Sequence, residues 1–250
     1  MIITSRANET IKSARVLHRA KERKESGLHL IEGDKLVFDA VLSDAKIVRI
    51  FCEEGFLPPE GFETVFVTRQ VLESLCESTT PQHLCAIVKT PDCTPPQSYP
   101  EGLILCLDGL QDIGNVGTII RTTDALGAAA VLIGLDTADA FSPKGVRASM
   151  GSCYHIPIYK GELASELKRL KAQGFFCLCG HLKGSEALPK TGKKVALVIG
   201  NEGNGVCAEV ANECYLYRMR QQGRAESLNA AAFAAIMTDR LINGRTVADL

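Results

Sequence analysis

No stretch of this 250-residue sequence approaches the ~20 uninterrupted apolar residues needed to cross a bilayer as a helix, which argues against a membrane protein or a membrane partner. The start, Met1-Ile2-Ile3-Thr4-Ser5-Arg6, also lacks the basic segment and apolar run of a secretory signal, so a cytoplasmic location is expected. None of the ten cysteines forms a CxxC pair; several lie inside apolar runs, as reduced core thiols do, and no metal site is indicated. Neither GxGxxG nor GxxxxGK[ST] occurs, and no acid ends a second strand, which removes support for a dehydrogenase or a P-loop NTPase. No fixed-period repeat appears. The net charge of -1 decides nothing about nucleic acid, because binding needs local rather than total positive potential.

The composition, 46% hydrophobic and 23% charged, is that of a folded globular protein. Charge is unevenly spread: residues 1–25 carry seven Lys or Arg (Arg6, Lys12, Arg15, Arg19, Lys21, Arg23, Lys24) against three acids. This is either a solvated helix face or a surface for an anionic partner. Apolar residues Ile11, Ala14, Leu17 and Ala20 predict one helix from Glu9 to about Ser26, ended by Gly27. Strands are expected at Leu28–Ile31, Ile47–Cys52, Val65–Val67 and Leu84–Val88, with helices over Lys35–Ser43 and Gln70–Glu77. Four prolines between Thr90 and Pro100 stiffen the chain and remove amide donors, as in an interdomain linker. Beyond it, strand spacing at Leu103–Leu107, Ala130–Ile133, Phe175–Cys179 and Val195–Ile199 suggests a buried parallel sheet. Helices are expected over Val116–Leu126, Glu162–Gln173 and Leu228–Leu241. The resulting division is an N-terminal α/β domain over 1–90, a linker over 91–101 and a larger α/β domain over 102–250.

Three stretches of the second domain carry candidate chemistry. In the loop Leu107-Asp108-Gly109-Leu110-Gln111-Asp112-Ile113-Gly114-Asn115, Asn115 either caps the following helix or faces a ligand. Arg121 lies nearly two turns further on among apolar neighbours, where an arginine usually pairs with a phosphate or carboxylate. Gly200-Asn201-Glu202-Gly203-Asn204-Gly205 follows an apolar strand as a tight turn whose one acid, Glu202, would pair with Arg121 if the two loops converge. In Gly223-Arg224-Ala225-Glu226-Ser227-Leu228-Asn229, Ser227 or Asn229 caps the last helix or serves a site.

In this order the three stretches resemble the sequence motifs of the SpoU/TrmH family of RNA 2'-O-ribose methyltransferases, in the SPOUT superfamily. The resemblance extends through Phe141-Ser142-Pro143-Lys144-Gly145-Val146-Arg147, and in the first half through Ile31-Glu32-Gly33 and Thr80-Pro81-Gln82. It implies a trefoil-knotted parallel-sheet domain, a smaller N-terminal α/β RNA-binding domain resembling ribosomal proteins, and a homodimer. It further implies S-adenosylmethionine as methyl donor, RNA as substrate, ribosomal rather than transfer RNA, and no DNA, since DNA lacks the 2'-hydroxyl.

Carried over by residue, the resemblance assigns Asn115, Arg121, Glu202, Ser227 and Asn229 to catalysis, and Gly200, Met219 and Leu228 to the cofactor pocket, with no metal. In this reading Arg121 holds an RNA phosphate and polarises the 2'-oxygen, Glu202 positions Arg121, and Ser227 or Asn229 contacts the ribose. The sequence departs from the family pattern at His83, where glycine is commoner, and at Arg220-Gln221-Gln222, where a more apolar run is usual. Those departures bear on which RNA is bound. The competing reading is a non-catalytic RNA-binding protein that keeps the fold; intact Arg121, Glu202 and Asn229 weigh against it.

Overall fold

The computed structural model describes residues 2–224 and 227–244; Ala225 and Glu226 of the third motif, and the end of the expected 102–250 domain, lie outside the described residues. The chain divides into two compact units, Met1–Pro91 with Asp139–His155, and Asp92–Ala138 with Ile156–Leu250. The stretch 139–155, expected within the second domain, thus packs in the first. Among the described residues no helix is long and apolar enough to cross a membrane.

The first unit runs β1 (Ile2–Ile3), α1 (Glu9–Arg15), α2 (Ala20–Ser26), β2 (Leu28–Glu32), α3 (Asp34–Leu42), β3 (Ile47–Glu53), β4 (Thr64–Val67), α4 (Arg69–Leu75) and β5 (Leu84–Lys89). Its mixed sheet has the order β1-β4-β3-β5-β2, with β2, β5 and β3 antiparallel and β3, β4 and β1 parallel. The expected helix over 9–26 is broken: a 3-10 turn at Val16–His18 leads into an extended Arg19 (φ -85°, ψ 129°) before α2 begins. Arg23 explains why the break is stable. Its Nη1 donates to the carbonyls of Leu17 (3.0 Å) and His18 (2.8 Å), which the interrupted helix leaves free, and its Nε and Nη2 donate to Asp139 at 2.9 and 2.7 Å. Gly27 then ends α2 in the left-handed conformation that favours glycine (φ 65°).

The second unit runs β6 (Leu103–Asp108), α5 (Ile113–Ala125) and β7 (Ala130–Gly134); after the 139–155 stretch, which carries α6 (Pro143–Ser149), come β8 (Ile158–Gly161), α7 (Leu163–Ala172), β9 (Phe176–Ser185), β10 (Val195–Gly200), α8 (Ala208–Ala211), β11 (Tyr215–Tyr217) and α9 (Ala230–Asn243). The sheet is parallel throughout, in the order β11-β9-β10-β6-β7-β8. Strands buried on both faces read as continuous apolar runs, which is why β6, β7 and β10 are plain in the sequence. On one face Ile104, Cys106, Leu132, Cys177, Cys179 and Val198 pack with Leu163, Leu167 and Leu170 of α7. The alternate residues Leu105, Leu107 and Leu197 are equally buried, on the face that α5 and α9 cover.

The proline-rich segment is held down rather than free. Lys160 donates its backbone N–H to the Cys93 carbonyl at 2.7 Å, Arg169 donates to that of Pro96 at 2.6 Å, and Gln173 to that of Gln97 at 3.0 Å. Tyr99 is buried, with its hydroxyl donating to Glu166 at 2.6 Å; burial, together with that carboxylate, pushes the phenol far above its ordinary pKa. Residues from Asp92 onward therefore form an edge of the second unit.

Candidate active site

The order of the second sheet creates a switch point. From β6 the chain moves outward through β7 to β8, then returns on the other side through β9 to β10, which pairs with β6. In open α/β sheets ligands bind beyond the carboxyl ends of the strands at such a point. Here those ends are Asp108 and Gly200, paired in register, and the loops that follow them contain the first two motifs.

Both loops are fixed by side chains that satisfy backbone groups. Asn201 donates its Nδ2 to the Gly109 carbonyl at 2.7 Å, and its Oδ1 accepts from the N–H groups of Gly203 (2.9 Å) and Asn204 (3.0 Å). The backbones of Asn201 and Gly205 exchange two hydrogen bonds. A side chain at Gly200 would collide with the peptide joining Gly205 to Val206, so glycine is required there for the turn itself. Asp108 accepts from the Cys207 N–H at 2.7 Å, and Thr137 donates to the Leu107 carbonyl at 2.9 Å while accepting from the Gly109 N–H at 3.0 Å. Gln111 donates its Nε2 to the carbonyls of Gly109 (3.1 Å) and Asp136 (2.7 Å).

On this frame the three motifs meet. Glu202 accepts from Asn115 Nδ2 at 3.0 Å and from the backbone N–H groups of Gln111 and Asp112 at 3.3 Å each. The carboxylate is acceptor-only, so Asn115 presents its NH2 to it and turns its Oδ1 toward Asn229, whose Nδ2 donates at 3.0 Å. Asn229 Oδ1 in turn accepts from the N–H groups of Ala231 and Ala232, capping α9. Glu202, Asn115, Asn229 and the start of α9 thus form one chain of hydrogen bonds across loops that are far apart in sequence. Burial works to raise the Glu202 pKa, but the Asn115 side chain and the surrounding N–H groups outweigh it and hold the carboxyl below its ordinary value. It is an anion near neutral pH and a weak base.

Several expectations are corrected here. Asn115 does not cap α5; Asp112 does, its side chain accepting from the Asn115 N–H at 3.1 Å, which leaves the Asn115 amide free for the relay. Glu202 is engaged by Asn115 and two backbone amides and makes no ion pair with Arg121. Arg121 stands exposed on α5, without a hydrogen-bond or ion-pair partner among the described residues. Asn229, not Ser227, is the cap of the last helix; Ser227 is exposed beside it. Gly200 ends β10, Met219 is half-buried just after β11, and Leu228 is 38% exposed immediately before Asn229. The reading of the sequence passed over Asp108, Gln111, Asp112 and Thr137 as parts of the frame. For Asp112 the signal was available: Asp three residues before Asn115, at the start of a helical run, is an N-cap spacing.

The profile of the SpoU rRNA Methylase family matches residues 102–239. The chain belongs to this family. An MRM3-like substrate binding domain profile matches residues 8–86. Among relatives, the 23S rRNA (guanosine(2553)-2'-O)-methyltransferase RlmP of Bacillus subtilis (strain 168) is 34% identical over 247 residues, covering 96% of this chain and 98% of that protein. Among solved structures, an AdoMet-bound rRNA methyltransferase from Sinorhizobium meliloti superposes with a TM-score of 0.88 at 31% identity over 98% of both chains. The SpoU methyltransferase AviRb from Streptomyces viridochromogenes, in complex with AdoMet, superposes with a TM-score of 0.86 over 95% and 98% of the two chains; at 23% identity this is a likeness of fold.

In this SpoU family member, the strand ends offer what a cationic nucleoside ligand requires. Gly109 (φ 67°) has open space where a side chain would stand, leaving its backbone approachable. Leu135 directly after β7 and Leu228 before α9 are exposed apolar side chains, at 58% and 38%. The carboxylates of Asp108, Asp112, Asp136 and Glu202 belong to the same loops and favour positive charge over an anionic ligand. The chemistry of this donor set fits S-adenosylmethionine, with a flat base, polar ribose and sulfonium, better than it fits a nucleotide phosphate.

Proposed function

We propose that this protein is an S-adenosylmethionine-dependent methyltransferase that methylates a ribose 2'-hydroxyl of ribosomal RNA. The observation that carries this reading is the Glu202–Asn115–Asn229 hydrogen-bond chain at the sheet's switch point. The S. meliloti and B. subtilis relatives, named for rRNA methylation, add support from outside the chain. S-adenosylmethionine, when bound, would supply an electrophilic methyl group to the 2'-oxygen, leaving S-adenosylhomocysteine, with the hydroxyl proton released to solvent.

The protein's share of that reaction is alignment, which is worth up to about 7–11 kcal/mol when two reactants are held in a reactive geometry. Gly200, Met219 and Leu228 hold the donor, largely through backbone groups around the glycine turns. Arg121, which has no partner among the described residues, takes an RNA phosphate through its guanidinium and polarises the ribose oxygen. Glu202 fixes Asn115, and Asn115 fixes Asn229; the carboxylate acts at one remove from the RNA instead of on Arg121. Ser227, exposed beside Asn229, contacts the ribose. The N-terminal segment 1–90 supplies the RNA-docking surface, and the second domain carries the SPOUT knot and pairs with a second copy as a homodimer. The protein works in the cytoplasm.

Calorimetric titration tests the reading before any RNA is identified. Saturable binding of S-adenosylmethionine and S-adenosylhomocysteine, with none of a nicotinamide dinucleotide, is the expected result. A folded protein that binds none of them contradicts it.

A further inference from the structure

The first unit contains an open cavity of about 420 Å³ whose lining includes Arg15, Val16, His18, Arg19, Ser74 and Glu77. Its position follows from the break in the N-terminal helix. A continuous helix would carry Arg15 and Arg19 one turn apart along a straight, solvated face. The 3-10 turn and the extended Arg19 instead bring both, with His18 between them, to the mouth of one concavity above the end of α4.

The charges of this cavity are unbalanced in a particular way. Glu77 is already engaged, with Arg147 Nη2 at 3.3 Å and His18 Nδ1 at 3.4 Å. Arg147 also donates to the buried Glu32 carboxylate, which accepts as well from the N–H groups of Glu77 and Ser78. Glu32 and Glu77 thus share the single guanidinium of Arg147, which leaves one negative charge beside the cavity against the two guanidiniums of Arg15 and Arg19. Arg15 and Arg19 are exposed and have no acidic partner among the described residues. Positive charge is thus in excess at the concavity, and exposed guanidiniums suit phosphate groups, which they bind in planar, bidentate fashion. Val16, 37% exposed between them, adds an apolar surface, and the Ser74 hydroxyl, which donates to the Val71 carbonyl at 2.7 Å, keeps its lone pairs for a donor such as a ribose hydroxyl.

We propose that this cavity is an RNA subsite that takes a single-stranded segment of the substrate, with successive phosphates on Arg15 and Arg19 and the intervening nucleotide in the concavity. The inference rests on the reading of the protein as an RNA methyltransferase, and assigns to particular residues the docking that the basic N-terminal segment provides. Single-stranded segments are favoured over duplex because a concavity of this size admits a splayed nucleotide, and such segments are what proteins read most readily in RNA.

The test is fluorescence anisotropy of a labelled oligouridylate with the full-length protein across a salt series, for wild type, Arg15→Ala/Arg19→Ala and Arg15→Lys/Arg19→Lys. Each phosphate contact on a single strand contributes about 0.7 to the salt slope, so the double alanine variant should lose about 1.4 from it and bind roughly tenfold more weakly or worse at low salt. The lysine variant should recover most of the slope, since lysine keeps the charge. Neither side chain has a partner to lose among the described residues, so the denaturation midpoint and the affinity for S-adenosylmethionine should stay at wild-type values. Wild-type affinity and slope in the alanine variant would overturn the subsite. Methyl transfer to ribosomal RNA by the wild-type protein is scored separately: its failure together with a weakened alanine variant removes the enzymatic reading and leaves the RNA subsite standing.

Discussion

The first unit closes its core over ionisable side chains, with Arg23, His29 and Glu32 all buried, whereas the buried polar residues of the second unit, among the described residues, are the hydroxyls of Thr123, Thr137 and Thr238. The difference follows from how each sheet is covered. In the first unit β2 is packed by α6 from the returning 139–155 stretch, and that stretch is joined to α2 and β2 by polar contacts: Arg23 to Asp139, Glu32 to Arg147 at 2.5 Å, and His29 to the Tyr154 hydroxyl at 2.5 Å. Such groups are costly to bury unless every one is satisfied, and these are satisfied. In the second unit the sheet interior is apolar, and the ionisable groups sit at the strand ends, where they remain available to a ligand. Charge in the first unit should therefore govern stability, and charge at the candidate site should govern activity.

The largest effect expected is on stability. Glu32→Ala leaves Arg147 Nη1 and the N–H groups of Glu77 and Ser78 without their acceptor, which should cost about 3 kcal/mol in a urea titration. A shift below about 1 kcal/mol would mean that the buried network is looser than its geometry implies. Arg121→Ala should do the reverse, lowering kcat/KM for RNA methylation about 10²–10³-fold while leaving the urea midpoint and S-adenosylmethionine affinity unchanged. Near-normal turnover would remove Arg121 from the mechanism.

Acid sharpens the same contrast. Burial lowers the His29 pKa from 6.5 to about 4, against the opposing pull of Asp139 and with some help from Arg23. Between those values the unfolded chain takes up a proton that the folded chain does not, so stability should fall as pH drops from 6.5 toward 4, by about 3 kcal/mol in all. His29→Gln should flatten that part of the stability-versus-pH curve, which equilibrium unfolding at a series of pH values would record. The smallest effect is at the cap of α9, where Asn229→Ala should cost about 1 kcal/mol of stability, together with a loss of activity out of proportion to it. Asn229→Asp, which keeps the capping oxygen but removes the N–H given to Asn115, should restore the stability and not the activity.

How much of this was legible in the sequence also differs between the units. The parallel strands of the second unit announce themselves as apolar runs because both their faces are buried, and the family motifs lie in the loops that follow them. Short edge elements do not: β1 is two residues long, β11 three, and α6 begins at a proline in a stretch read only as a motif. The break in the N-terminal helix was hidden because its apolar spacing runs through Leu17 to Ala20, past the break, while the Arg23–Asp139 contact that holds it spans 116 residues. For the same reason the sequence could single out Asn115, Glu202 and Asn229 but not that these three side chains meet. Opposite charge suggested Arg121; the loop geometry delivers Asn115.

Ribose methylation is read out by incubating the purified protein with methyl-labelled S-adenosylmethionine and unmodified ribosomal RNA, then hydrolysing the RNA in alkali. A 2'-O-methylated linkage resists alkaline cleavage, so label should be recovered in alkali-resistant dinucleotides and be lost with Arg121→Ala. Label found only in mononucleotides, as from methylation of a base, or no transfer by protein that binds S-adenosylmethionine and RNA, would contradict it.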